Sequence, residues 1–211
     1  MGFFEVDGKL ACIVSRIFDL IKLNFLCLIM CLPVITVGAS LTAAWYILLK
    51  MVRNEESYIG KSYWKAFKGN FRQATIIWVL LASGFSVIRM DLAILKDAGS
   101  EARPVQAALL FIFWGLGLIS LYIFPMLARF DNTVKNTIKN AFYMAFCHLP
   151  YTVLIVSFFL AGPVLCILNW RLFGYYILYM VLIGITGPGY LSAILFRKMF
   201  DDFQAKKGSD I

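Results

Sequence analysis

Long stretches without charge alternate with short charged segments along the chain. The uncharged stretches comprise residues 23–49, 73–88, 104–128, 140–170 and 172–196. A membrane-spanning helix needs about 20 consecutive, mostly apolar residues. The pattern therefore predicts an all-α membrane protein with about five membrane segments, at about 23–49, 74–95, 104–128, 149–168 and 172–196. The second segment extends past its uncharged stretch, which places Arg89 and Asp91 near the head groups, where charge costs less.

Two of the charged segments have the periodicity of an amphipathic helix. In residues 131–148 and 58–73, apolar side chains recur every three or four positions, and basic or amide side chains occupy the opposite face. Such helices lie in the membrane interface with their apolar stripe in the acyl boundary. We therefore expect two elbow helices on the cytoplasmic side. Their candidate surface for a partner or for lipid consists of Lys61, Lys65, Lys68, Arg72, Arg129, Asp131, Asn132, Lys135, Lys139 and Asn140.

The two elbows also resemble each other in sequence. When they are superimposed along the chain, Ala66, Phe67 and Phe71 fall on Ala141, Phe142 and Phe146. A shorter match falls in the amphipathic N-terminal segment at 1–22 and just beyond it, which suggests a third elbow. Together with the alternation of charge, the pattern suggests a repeated unit of one elbow and one hairpin.

The first membrane segment contains residues that interrupt a helix. Pro33 removes a backbone donor, Gly38 allows another backbone to approach, and Thr36 and Thr42 supply hydroxyls. Two arrangements fit: one kinked span with the N-terminus outside, or a re-entrant hairpin with the N-terminus inside. The 27 uncharged residues favour the single span. A break within a membrane needs cover from protein, so we expect Leu32–Thr42 to pack into the bundle.

Composition and charge support a membrane protein and set its orientation. Hydrophobic residues make up 61% of the chain and charged residues 15%, whereas soluble domains carry about 25% charged residues. The net charge of +8 comes mainly from residues 50–72, 129–139 and 197–211, which hold 13 Lys and Arg, against 4 in the two remaining loops. Cytoplasmic loops retain Lys and Arg. We therefore expect a multi-pass protein of the bacterial cytoplasmic membrane with a cytoplasmic C-terminus and no nucleic-acid partner.

The chemistry-bearing residues do not form a recognisable reaction site. Cys27 and Cys31 share a helix face, but structural zinc sites use four ligands, and His148 is the single histidine of the chain. Hydrolysis calls for a base, a nucleophile and an orienting group within reach of one another. The sequence thus predicts no catalytic, cofactor or metal site and no enzymatic activity.

Three short motifs carry a resemblance to a known family. They are Pro33-x-x-Thr36-x-Gly38, then Lys65-Ala-Phe67-Lys-x-Asn70-Phe71 with Gln73, then Arg129-Phe-Asp131-Asn132. With their flanks they resemble the YesL-like family of small bacterial membrane proteins over nearly the whole chain. That family has no assigned biochemical activity. Its members are typically encoded beside carbohydrate ABC importers, so the resemblance implies an accessory or regulatory subunit.

Two functions therefore compete. The first is a non-catalytic accessory or regulatory subunit, whose elbows dock importer subunits, a second copy of the chain or only the bilayer. The alternative is a small-solute transporter or channel in its own right. Proton or ion coupling usually leaves ionisable groups inside the spans, and no acidic residue lies in an uncharged stretch. A neutral solute would have to use side chains such as Thr42, Trp45, Tyr122 and Tyr179, and we favour the first function.

Overall fold

The computed structural model describes residues 3–55, 58–96, 102–130 and 132–209, with side chains for residues 11–55, 58–96, 102–130 and 132–202. Within these ranges the fold is helical. The α-helices are α1 Phe3–Cys31, α2 Val37–Val52, α3 Ile59–Leu95, α4 Arg103–Arg129, α5 Val134–Cys147, α6 Leu149–Leu168, α7 Phe173–Leu182 and α8 Thr186–Ser209. Short 3-10 turns at Val34–Thr36 and Trp170–Leu172 precede α2 and α7.

The first predicted membrane segment, 23–49, contains the turn of a helical hairpin and parts of both its legs. The Arg16 guanidinium donates to the Met51 carbonyl at 2.8 Å, and the Ser40 hydroxyl donates to the Cys27 carbonyl at 2.9 Å, so α1 and α2 run antiparallel. The predicted single kinked span is wrong, because the chain reverses its direction between α1 and α2, as it does in the hairpin alternative. The prediction counted only uncharged residues, whereas α1 begins at Phe3 and carries Arg16, Asp19 and Lys22 within its continuous helix.

The hairpin turn itself is not covered by the bundle. Leu32, Val34 and Ile35 are exposed, whereas the chain from Gly38 to Ser40 is buried. The expectation that all of Leu32–Thr42 packs inward is therefore wrong for the turn and correct from Gly38 onward. The turn is stabilised from within, because the Thr36 hydroxyl lies 2.6 Å from the Met30 carbonyl and 2.7 Å from the Pro33 carbonyl.

Helix α2 occupies the centre of the bundle. In the most apolar part of Val34–Val52, 61% of the residues are buried, against 17% in each of the other long apolar helices. It packs against α1, α3, α4 and α8. Small side chains such as Ala39, Ala43 and Ala44 let these neighbours approach closely, as in membrane bundles generally.

The predicted elbow at 58–73 is not a separate helix. It continues without a break into the apolar segment 74–95, so that α3 spans 37 residues, about 55 Å at 1.5 Å per residue. Gly69 lies in the middle of the polar part, yet a single glycine costs only about 1 kcal/mol and does not end a helix. The described part of the second elbow forms its own helix, α5, which starts at Val134. Pro150 lies in the first turn of the helix that follows.

The last predicted segment, 172–196, is broken. Helices α7 and α8 meet at a bend of 60° across Ile183–Ile185. Pro188 explains the break, because its ring removes a donor and crowds the carbonyl four residues earlier, at Gly184.

Four helical segments are long and apolar enough to cross a membrane, by length and composition. They are Val34–Val52, Ile59–Leu95, Arg103–Arg129 and Leu149–Leu168. The bent pair Trp170–Leu182 and Thr186–Asp202 makes a fifth when counted as one span. The expectation of an all-α membrane protein with about five membrane segments is confirmed.

Candidate functional site

The break between α7 and α8 is held by one buried side chain. Asn24 of α1 is fully buried. Its amide nitrogen donates to the carbonyls of Met180 at 3.0 Å and Val181 at 2.8 Å. Its amide oxygen accepts from the backbone N–H groups of Ile185 at 3.1 Å and Thr186 at 3.3 Å. Asn24 thus replaces, on both sides of the break, partners that a continuous helix would supply to its own backbone.

A further hydrogen bond joins α1 to the start of α8, and here a side chain of α8 bonds to the backbone of α1. The Thr186 hydroxyl donates to the Leu20 carbonyl at 2.9 Å, and both Thr186 and Leu20 are buried. Leu20 lies one helical turn before Asn24, so α1 grips the start of α8 through two successive turns. We call this set of contacts the Asn24 clamp, defined by Leu20, Asn24, Met180, Val181, Ile185 and Thr186.

A further buried polar contact joins the hairpin to α3. The Ser40 hydroxyl lies 2.8 Å from the Tyr63 hydroxyl, and it also donates to the carbonyl of Cys27. Ser40 therefore bonds across helices, as expected for hydroxyls in a membrane bundle. Thr42 does not, because its hydroxyl donates to the Gly38 carbonyl of its own helix at 2.8 Å.

Gly38 is the point of closest approach between α2 and α3. A Cβ at this position would lie 2.5 Å from the Ala74 carbonyl oxygen and 2.6 Å from the Trp78 Cβ. The indole of Trp78 donates to the Val34 carbonyl at 2.8 Å, which supplies a partner to the exposed hairpin turn. Pro33 itself is exposed. Its part in the site is to form the turn rather than to pack against other helices.

The carboxyl end of α2 is capped by arginines from the first and last helices. Arg16 donates to the Met51 carbonyl and to the Asn54 side chain, and Arg197 donates to the Val52 carbonyl at 3.1 Å. Arg53 forms an ion pair with Asp201 at 3.0 Å. Cations are favourable at this end of a helix, where the last carbonyls lack partners.

Removing the first of these caps gives a measurable prediction. We expect Arg16→Gln to lower stability by about 1–2 kcal/mol, because a charge-assisted bond to a half-buried carbonyl is lost. The same substitution at exposed Arg89 is the control, with an expected change within about 0.5 kcal/mol. Thermal unfolding of both variants in detergent measures the difference, and equal melting temperatures would show that the cap contributes nothing.

The predicted bases of the two elbows all lie on the outside. The exposed set is Lys61, Lys65, Lys68 and Arg72 on α3 together with Lys135 and Lys139 on α5. We call these six residues the basic surface. None of them pairs with an acid among the residues that the structure describes. The Gln73 side chain donates to the Asn132 carbonyl, which brings the end of the first row next to the start of the second.

The remaining predicted surface residues divide into two groups. Arg129, Asn132 and Asn140 are half-buried, and Arg129 is in electrostatic contact with Arg53, Asp201 and Glu55 at the carboxyl end of α2. Arg129 therefore belongs to the interior side of this end rather than to the exposed surface. Asp131 lies outside the described residues.

The apolar faces of the two predicted elbows are not equivalent. Phe67 is buried, 7% exposed, and stacks on Trp64 with ring centroids 5.4 Å apart. Its counterpart Phe142 is 52% exposed and contacts Phe146. Phe67 therefore belongs to the protein core, whereas Phe142 lies on the outside of the helix bundle. The sequence repeat thus places matching residues in different environments.

Sequence reasoning missed the Asn24 clamp. Asn24 lies inside an uncharged stretch, and counting charges treats it as part of an apolar span. Two signals were present: a lone amide in a long apolar helix, and the run Thr186-Gly187-Pro188-Gly189 within a segment taken as continuous.

The described residues include no group of three or more His, Cys, Asp or Glu positioned to hold a metal ion.

Comparison with known proteins gives a family without an assigned function. The family model described as "Protein of unknown function, DUF624" matches residues 20–92. The "Uncharacterized protein YteU" of Bacillus subtilis (strain 168) is 22% identical over 118 residues, covering 55% of this chain and 53% of that protein. The "Uncharacterized protein YesL" of the same strain is 24% identical over 108 residues, covering 49% of each.

The chain spans about half the length of the curated relatives it matches. No solved structure matches it. These matches confirm the resemblance to a YesL-like family of unknown function. The family-model match includes Asn24, the hairpin turn and all of α2, so it covers one side of the clamp.

Proposed function

We propose that this YesL-like chain is a non-catalytic membrane subunit that uses its basic surface to dock an acidic partner at the cytoplasmic side. The observation that carries the proposal is the Gln73–Asn132 hydrogen bond. It brings the end of the first row of bases, at Arg72, next to the start of the second, which precedes Lys135. Exposed bases that form no ion pair with a described acid favour a partner of opposite charge and exclude wrong partners by repulsion.

The family resemblance supplies the candidate partner. Because YesL-like proteins are typically encoded beside carbohydrate ABC importers, we propose that an importer subunit is docked and that this chain has an accessory or regulatory role. Attraction of the same bases to anionic lipid contributes about 1 kcal/mol per residue near a membrane surface. That attraction orients the basic surface toward the head groups. Because it accounts for the net positive charge, we propose no nucleic-acid partner.

The proposed orientation rests on the three basic segments. Arg53 pairs with Asp201 and Arg129 is in electrostatic contact with both, so one described residue from each of the segments 50–72, 129–139 and 197–211 lies at the same end of the bundle. Since cytoplasmic ends are rich in Lys and Arg, we propose that this end, with the C-terminus, faces the cytoplasm.

Cysteine labelling checks the orientation. On a cysteine-free background, single cysteines at positions 57 and 139 should react only after cells are opened, and one at position 99 should react in sealed cells. Ser57 and Gly99 lie outside the described residues, whereas Lys139 is exposed on α5. Labelling of position 139 from outside would reverse the proposed orientation.

Affinity capture from mild detergent tests the docking proposal. Importer subunits should co-elute with the wild-type chain and be lost from Lys65→Glu/Lys139→Glu. The matched control is Arg103→Glu/Arg171→Glu, which makes the same change in net charge at exposed positions away from the basic surface. Importer subunits missing from the wild-type eluate, or captured equally by both double variants, would contradict the proposal.

A transporter function is the second candidate, and the helix break favours it. Broken helices near the middle of a bundle form substrate sites in many transporters. Here, however, Asn24 already bonds to four backbone groups at the break. The Tyr122 hydroxyl is likewise 2.6 Å from that of Thr152. Uptake of labelled sugars by liposomes containing the purified chain, above that of empty liposomes, would favour transport over docking.

A further inference from the structure

An apolar cavity lies in the bundle beside the helix break. Its volume is about 230 Å³, and its walls come from α2, α3, α4 and α6 and from the break. Its lining includes five aromatic residues, which are Trp45, Trp78, Phe85, Phe124 and Phe159. Ile185, the last residue of the break, completes the wall. The cavity is separate from the basic surface and plays no part in the docking proposed above.

Two polar groups of the lining already have partners within the protein. The Ser120 hydroxyl donates to the Gly117 carbonyl at 2.7 Å, and the Trp78 indole donates to the Val34 carbonyl. A buried water needs at least two polar partners. An empty space of this size would deprive the lining of contact atoms on one side. The mainly apolar walls therefore favour a hydrocarbon occupant over water.

The cavity has a buried floor and a half-exposed rim. Ala44, Leu48 and Trp45 on the floor are 2%, 1% and 8% exposed. The rim side chains Trp78, Ser120 and Phe159 are half-buried and belong to α3, α4 and α6. Each of these three helices is long and apolar enough to span a membrane. The molecule that meets the mouth of the cavity is therefore bilayer lipid.

We propose that the cavity holds an acyl chain of a bilayer phospholipid, inserted between α3, α4 and α6 until it reaches α2. The aromatic walls fit a flexible hydrocarbon chain, which needs no specific polar contact. The head group stays in the bilayer interface, so this site recognises the hydrocarbon chain and not the head group.

Photocrosslinking tests the proposal on the full chain with its native side chains. The chain is reconstituted with phosphatidylcholine that carries a diazirine on one acyl chain, irradiated, and digested for mass spectrometry. Crosslinks should form at the floor residues Ala44 and Leu48 as well as at the exposed residues Ile76 and Leu80. Crosslinks only at the exposed pair would overturn the proposal.

A filled cavity provides the matched comparison. Ser120→Leu places a branched side chain at the rim, and we expect floor crosslinks to fall at least about fivefold, since a close-packed site excludes the chain. Ser86→Leu is the control, because Ser86 is also a helical serine bonded within its own helix but is not part of the cavity lining. Unchanged floor crosslinks in Ser120→Leu would refute insertion through this mouth.

Two additions keep the result decisive. If Ser120→Leu does not give folded protein, Ala44→Val fills the floor from the other side and should lower the Leu48 crosslinks instead.

A photoreactive free fatty acid in unlabelled phosphatidylcholine vesicles forms a separate arm. Stronger floor labelling by the fatty acid than by the phospholipid, at equal mole fraction, would replace the phospholipid by a free fatty acid as the occupant.

Discussion

Gly38→Leu should lower the stability of this protein by about 3 kcal/mol or more, because overpacking a closed contact costs 1–3 kcal/mol and occasionally more. The added Cβ alone would lie 2.5 Å from the Ala74 carbonyl oxygen and 2.6 Å from the Trp78 Cβ. Backbone atoms of a long helix cannot give way as the end of a flexible side chain can. At about 2–4 °C per kcal/mol for a chain of this size, the melting temperature in detergent should fall by about 6–12 °C.

The matched control is Gly115→Leu in α4. A Cβ at Gly115 meets no atom within 4 Å, and leucine favours a helix over glycine by roughly 1 kcal/mol. We therefore expect no loss, or a slight gain, in the melting temperature of this variant. Equal losses for the two variants, or a larger loss at Gly115, would show that the contact between α2 and α3 is not close-packed in the membrane protein.

Asn24→Leu is the second substitution with a large expected effect. The side chains have similar volume, but leucine leaves two carbonyls and two N–H groups of the α7–α8 break without their partner. Each buried polar group left unsatisfied costs about 1–3 kcal/mol. Allowing for relaxation of the break, we expect a loss of at least about 3 kcal/mol.

The position of this loss distinguishes the clamp from ordinary packing. Backbone amides of Ile185 and Thr186 should exchange with deuterium faster in Asn24→Leu, whereas those in the middle of α4 should change only with global stability. Asn136→Leu, on the exposed face of α5, controls for the loss of an amide. Slower exchange at Ile185 and Thr186 would mean that α7 and α8 join into one helix without Asn24, and the clamp would then not be needed to satisfy the backbone.

The features predictable from the sequence are those that depend on local patterns. Absent charge alone predicts the membrane segment 104–128, and α4 lies within one residue of those bounds. The segment 149–168 also required the amphipathic pattern of residues 131–148, because its uncharged stretch begins at residue 140, and α6 has the same bounds. The amphipathic pattern of residues 58–73 predicted a separate elbow that ends near residue 73, whereas α3 continues to Leu95. Charge and polarity set which face of a helix is exposed, and they do not by themselves end it.

The features that escaped prediction depend on contacts between residues far apart in sequence. Asn24 meets Met180 across 156 residues, and nothing near Asn24 in the chain indicates that partner. The hairpin likewise depends on Arg16 and Met51 lying together, whereas the predicted first membrane segment began only at residue 23. The basic residues of the candidate surface were identified from their spacing in the sequence. The contact between Gln73 and Asn132 that brings the two rows of bases together was visible only in the structure.

The Asn24 clamp also sets an order of events during synthesis. A ribosome adds about 5–20 residues per second, so roughly 8–30 s pass between the appearance of Asn24 and that of Met180. Throughout this interval α1 carries a polar amide whose final partners do not yet exist. Until then the amide must bond to groups outside the finished fold, because an unsatisfied polar group inside a membrane is costly. Synthesis of α7 and the start of α8 supplies its four backbone partners, so the N-terminal helix reaches its final contacts only after α8 has begun.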